Sequence, residues 1–235
     1  MKAKVHCLFG IASLLASTLT PSLAGPVDGQ QSQPELALGR TPDYDYDPPA
    51  PGSYSLPVLK AAGDGKVLGP LGNLADLHQL FEGRLVVLSF IYTRCSDPRA
   101  CLRATGVMNQ LQRLSRADPG LATNLLLLTM SFDPAHDTPE VLARYGRVFG
   151  GDHSEGADWL FLTTRSAQDL APILDEYGQR VDRRQQPSPY GPLYHPVRVY
   201  LIDREKQIRN IYSYGLLDPR LVVTDVRTLL MEESK

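Results

Sequence analysis

A basic excess is the first thing this 235-residue chain lacks: 24 lysines and arginines stand against 26 aspartates and glutamates, a net charge of −2. That balance argues against a nucleic-acid partner, and no Lys/Arg run offers a surface for anionic lipid. No internal repeat is evident, which leaves ordinary folded units rather than an array. Cysteine is scarce, with three in all. A long run of uncharged apolar residues occurs only at the N-terminus. With 43% hydrophobic and 21% charged residues the rest has the composition of a soluble domain with one substantial core.

The N-terminus reads as an export signal. Lys2 and Lys4 precede an apolar stretch from Val5 to Thr20, Pro21 breaks it, and "SLA" ends at Ala24 with the small residues of a cleavage site. The stretch is marginal against the roughly 20 residues that span a bilayer. The expectation is a signal peptide over residues 1–24, hence an exported, periplasmic protein, held to the membrane if the leader is retained. Cleavage removes Lys2, Lys4 and Cys7 and takes the net charge to −4. Residues 25–53, rich in Pro, Gln, Gly and acidic side chains, read as a flexible arm, and residues 54–235 as the folded domain.

Within the domain, short apolar stretches flank "GDG" (Gly63–Gly65) and predict a hairpin. Asn73 is a candidate cap for a helix carrying Leu74, Leu77, Leu80 and Phe81. "LVVLSFIY" (Leu85–Tyr92) and "NLLLLTMSF" (Asn124–Phe132) are continuous apolar runs, as in strands buried on both faces. Helical spacing runs from Ala104 to Leu114. Thr138-Pro139 pairs a cap with a proline at the first helical position. "DWLFLTT" predicts a short strand and Ser166–Tyr177 a helix. Gly178–Leu193 predicts a long loop, "VRVYLID" and "QIRNIYSYG" an antiparallel pair, and Asp218-Pro219 the start of a closing helix. The order is α/β.

The two remaining cysteines are separated by five residues, in "FIYTRCSDPRACLRAT". Cys95 follows a buried strand and Cys101 opens a helix, where free N–H groups and the helix dipole favour thiolate. Arg94, Arg99 and Arg103 push the same way and Asp97 opposes them. A small-loop disulfide would stabilise the chain by only about 2–3 kcal/mol, so a functional dithiol is favoured over a staple. A metal needs a third ligand. His78 reads as a helix-surface residue, and His136 and His153 as loop residues. His195 differs, because it lies after a long unstructured loop and directly before a buried strand.

"FIYTRC…C", "SFDPAHDTPE", "WLFLT" and "YHPVRVYLID", in this order and spacing, resemble the Sco/SenC family over roughly Tyr54 to Leu230. The resemblance implies a thioredoxin-like fold, here with an N-terminal β-hairpin extension and a long loop before the penultimate strands. It also implies a copper site formed by Cys95, Cys101 and His195, and a role in assembling the copper centre of cytochrome c oxidase. The partner would be an oxidase subunit or another cuproprotein, met by a monomer. Thiolates suit Cu(I), imidazole suits either copper state, and three ligands leave an open position for handing the metal on. A closed zinc site would want a fourth ligand.

The chain departs from the family pattern in having five residues between the cysteines instead of three, and Leu102 where a proline is usual. Pro98 encourages a turn that absorbs the extra length. The alternative reading is a thiol–disulfide oxidoreductase that uses Cys95 and Cys101 as a redox pair to reduce a client's cysteine ligands. A peroxidase-like enzyme has no distinct signal. Tyr92 fits an aromatic position just before the cysteines, as packing or as a donor behind the ligands. Asp133 and Asp137 match the family's acidic pair, Asp137 as an expected helix cap and Asp133 as a contact for the cysteine loop or a partner. Met108 and Met130 have core spacing.

Overall fold

The structure, a computed structural model, describes residues 44–149 and 155–233. The proposed leader, residues 25–43 of the arm, and His153 lie outside the described residues. The elements run β1 (Lys60–Ala61), β2 (Lys66–Leu68), β3 (Leu74–Asp76), α1 (Leu77–Phe81), β4 (Leu85–Ile91), α2 (Cys101–Arg116), α3 (Pro119–Asn124), β5 (Leu125–Ser131) and α4 (Pro139–Phe149). They continue with β6 (Asp158–Leu162), α5 (Ala167–Tyr177), β7 (Asp182–Arg183), β8 (Leu193–Tyr194), β9 (Arg198–Ile202), β10 (Gln207–Ser213) and α6 (Pro219–Glu233).

One six-stranded sheet, in the order β1-β10-β9-β4-β5-β6, organises the domain. Every residue of β4 and β5 is buried, as their unbroken apolar sequences require of strands covered on both faces. They pair in parallel from Leu85 with Leu125 to Ile91 with Ser131, and β6 continues the parallel set. The crossovers through α2 and α4 run the same way across the sheet, so right-handed connection places both helices on one face. There α2 also meets α6. The path back from β6 to β9 carries α5 over the other face, where Tyr177 packs on Phe90 and Tyr200 at centroid distances of 5.5 and 5.1 Å. β9 runs antiparallel to both β4 and β10. The three parallel strands β4, β5 and β6 run in one direction, and the cysteine loop leaves from the end of β4.

Two local expectations are revised, and one helix is added to those expected. The Gly63–Gly65 segment does not close a hairpin: β1 joins the main sheet beside β10, while β2 pairs with β3. Its glycines serve close approach instead, since a Cβ on Gly63 or Gly65 would sit 2.4 Å from Glu176 or 2.5 Å from Ile173 of α5. The helix begins after Asp76 rather than Asn73, because Leu74–Asp76 are taken up in pairing with β2, where Asp76 also meets Lys66 at 2.6 Å. The segment Pro119–Asn124 is helical, with Asp118 accepting the Gly120 and Leu121 N–H groups. Asp118-Pro119 carries the same cap-and-proline signal as Thr138-Pro139.

The arm's last part lies against the domain. Tyr44 is buried and donates to the Leu217 carbonyl, Gly52 N–H reaches the Thr228 hydroxyl at 3.0 Å, and Tyr54 donates to Asp225. Among the described residues no helix is long and apolar enough to cross a membrane.

Candidate metal centre

β4 ends at Ile91, and the chain turns at once, with the Cys95 N–H bonded to the Tyr92 carbonyl at 3.1 Å. Cys101 is the first residue of α2. Between them the two extra residues are absorbed by a turn at Pro98: the Asp97 carboxylate accepts the Arg99 N–H at 2.9 Å, and the Asp97 carbonyl accepts the Ala100 N–H at 3.2 Å. The long loop ends in β8, and His195 follows directly.

These three residues, 94 or more positions apart along the chain for the imidazole and the Cys101 sulfur, meet in space. Their donor atoms all lie within 4.8 Å of one another, with Cys101 Sγ and His195 Nε2 at 3.3 Å. Metal–ligand bonds of about 2.0–2.3 Å would place the donors of a trigonal ion roughly 3.5–4 Å apart, so the group fits a small ion with side-chain movements under about 1 Å. Cys95 and His195 are 7% and 8% exposed and Cys101 is fully buried. The donor group is thus shielded from solvent, with Cys95 and His195 keeping slight exposure.

Hydrogen bonding sets the charge. Cys95 is held down to about 4, chiefly by the Cys101 thiol, with burial opposing, and then by the His195 ring and the N–H groups of Asp97 and Cys101. Cys101 goes the other way, pushed up by burial and by its neighbour's negative charge. One proton is therefore shared by two sulfurs, with Cys95 the thiolate. The expected arginine contribution is not the main cause: Arg94 pairs with Asp133 at 2.6 Å, Arg99 lies 3.9 Å from Asp97, and Arg103 stacks on Tyr44. The His195 Nδ1 faces the Pro196 carbonyl at 3.3 Å. When a metal binds, a proton held at Nδ1 would leave the Nε2 lone pair free to coordinate beside the sulfurs.

Aromatic rings frame the imidazole, with Phe132 at 4.5 Å and Tyr92 edge-on at 6.0 Å. Tyr92 packs beside the donor group and also engages the histidine loop. Its ring is fully buried, and its hydroxyl faces the carbonyls of Tyr190 (3.0 Å) and Leu193 (3.3 Å) and the Leu193 N–H (3.4 Å), tying the histidine loop to the cysteine strand. Ser96 adds a bond to the Pro189 carbonyl at 2.6 Å. Asp133 contacts the cysteine loop through Arg94. Asp137 is no cap; its carboxylate turns back toward Thr93 and Ser131, while the Thr138 hydroxyl accepts the Val141 N–H at 3.4 Å.

His136 is exposed, and His78 reaches the Ala62 carbonyl at 3.1 Å, bracing the Gly63–Gly65 loop instead of facing solvent. Met108 and Met130 are core residues. Sequence reasoning missed Ser96, Gly191, Phe132, Thr93 and Ser131. Of these only Gly191, a glycine between Tyr190 and Pro192, carried a local signal.

Gly191 has φ +101, and a Cβ there would lie 2.3 Å from the Tyr92 hydroxyl. Gly191→Ala is expected to lower stability by about 1–3 kcal/mol and to loosen the histidine loop. Denaturant melts read the first effect; faster proteolysis within Gly178–Leu193 reads the second.

The parallel core, the antiparallel closing pair and the dithiol at the strand-to-helix junction define a thioredoxin-like protein. Its dithiol has been joined by an imidazole to form a three-donor group. The family model described as SCO1/SenC matches residues 74–231, and the chain belongs to that family. Solved structures agree in fold. A SCO1/SenC family lipoprotein from Bacillus anthracis is 23% identical, with a TM-score of 0.61 over 74% of this chain and 97% of that one. Copper-bound ScoI of Arabidopsis thaliana is 16% identical, with a TM-score of 0.60 over 73% and 99%. BsSco, described through a disulfide switch and as a member of the Sco family of cytochrome c oxidase assembly proteins, is 18% identical, with a TM-score of 0.57 over 74% and 97%. No curated protein matches the chain significantly.

Proposed function

We propose that this protein is a periplasmic copper carrier that holds copper through Cys95, Cys101 and His195 and delivers it to a respiratory cuproprotein, the copper centre of cytochrome c oxidase. The convergence of two sulfurs and one ring nitrogen within 4.8 Å carries the reading. Cys95 is already ionised at neutral pH, so binding Cu(I) displaces at most the proton on Cys101. Soft thiolates select Cu(I), and three donors leave a coordination position through which a client's ligand enters before the carrier's ligands leave. Export by the N-terminal leader would place the carrier where such a client is assembled.

A copper(I) titration of the reduced mature domain against a competing chelator tests this. One ion per chain is expected, with binding lost in Cys95→Ser and Cys101→Ser. Tight binding that survives in either variant would sink the site. A second reading, thiol–disulfide exchange on a client, is supported by the low-lying Cys95 thiolate beside a protonated thiol, which is the arrangement of an exchanging pair.

A further inference from the structure

Asp137 is fully buried, and among the described residues no cation lies within salt-bridge distance of it. It is satisfied by donors from two strand ends. The Thr93 N–H donates at 3.0 Å, the Thr93 hydroxyl donates to the other oxygen, and the Ser131 hydroxyl donates at 2.5 Å. Its own N–H closes a turn onto the Asp133 carbonyl at 2.8 Å. Thr93 lies two residues before Cys95, inside the turn that presents that sulfur. Ser131 lies one residue before Phe132, whose ring rests 4.5 Å from that of His195, and two before Asp133, which holds Arg94. The Ser131 hydroxyl also accepts the Asp133 N–H at 3.0 Å.

We infer that Asp137 is a positioning residue that fixes the separation of the Cys95 sulfur from the His195 ring, by clamping the end of β4 to the end of β5. This deepens the copper-site reading above and rests on it. A buried carboxylate is costly unless its lone pairs are filled, so its three hydrogen bonds are geometrically strict. Each of them constrains backbone that leads to one side of the donor group. The inserted residues between the cysteines do not touch this clamp. It therefore explains how the longer loop leaves Cys95 in register with the imidazole.

Four variants test it: Asp137→Asn, Asp137→Ala, Thr93→Val and Thr93→Ser. The probe is copper(I) affinity by chelator competition, with the thiolate-to-copper(II) charge-transfer spectrum as signature and melting temperature as control. Groups that orient ligands typically change metal affinity about 10–100-fold. That loss, with a shifted charge-transfer band, is expected for Asp137→Ala and Thr93→Val, and recovery for Thr93→Ser. Asp137→Asn keeps one acceptor for the Thr93 N–H and should fall between. Should Asp137→Ala not fold, Thr93→Val decides alone. Unchanged affinity and spectrum in the folded variants, beside a wild type that binds copper, overturn this inference only. A wild type that binds no copper overturns the function reading and this inference with it.

Discussion

Replacing His195 by alanine is expected to weaken copper(I) binding by more than about 100-fold, because even groups that merely orient a ligand typically change affinity 10–100-fold, and His195 supplies a donor. Nε2 already stands 3.3 Å from Cys101 Sγ, so little reorganisation precedes binding, and its removal leaves two sulfurs and a void framed by Phe132 and Tyr92. The dithiol chemistry should persist. The leading cause of the low Cys95 value is the Cys101 thiol, which remains, whereas the imidazole contributes after burial has opposed it. The variant's thiolate should therefore be somewhat less stable, with disulfide formation slowed but retained. Equilibration with glutathione measures the potential, and chelator competition the affinity. A carrier loses its affinity and keeps its couple. A variant that holds copper as tightly as the wild type would show that the ring only packs, and the exchange reading would then stand alone.

The parts of this fold legible in the sequence were those where one term dominates. Leu85–Ile91 and Leu125–Ser131 have no polar face to place, so burial on both sides was the only outcome. Thr138-Pro139 and Asp218-Pro219 announce helix starts through local backbone chemistry. The segment Lys60–Phe81 was misread because pairing partners decided it. Leu74, Leu77, Leu80 and Phe81 have helical spacing, yet Leu74 is taken up by β2, and that choice is invisible without the third dimension. The same holds for the site. Both cysteines were marked by position, and His195 by its place after a long loop and by family likeness. The burial of Asp137 and the close approach of Gly191 depend on contacts across the sheet end, and no spacing along the chain encodes them. The arginines illustrate the converse error: Arg94, Arg99 and Arg103 are near the cysteines in sequence, but Asp133, Asp97 and Tyr44 engage them.

The largest effect on stability is expected at Asp218, which is not one of the three donor residues. This carboxylate is fully buried, and Arg220 beside it is only 6% exposed. The pair is held by Nε at 3.0 Å and Nη2 at 2.8 Å, and the same carboxylate accepts the Arg220 N–H at 2.9 Å at the start of α6. Arg220 in turn donates to the Tyr46 carbonyl at 3.1 Å and lies over the rings of Tyr44 and Tyr46 at 5.3 and 5.7 Å. Asp218→Ala leaves a guanidinium desolvated without its counter-ion, an arrangement that typically destabilises by about 3–5 kcal/mol. For a domain of this size that is a fall in melting temperature on the order of 10 °C. Because the arginine is also what the arm grips, the arm should loosen first, and limited proteolysis should cut near Tyr44–Ser53 before the core opens. The double variant Asp218→Ala, Arg220→Met removes the stranded charge and should recover part of the loss, since well-packed apolar replacements of buried pairs are often near neutral. A single variant that loses under about 1 kcal/mol, the range of an exposed ion pair, would mean that Arg220 reaches water and that the arm is held by its tyrosines alone.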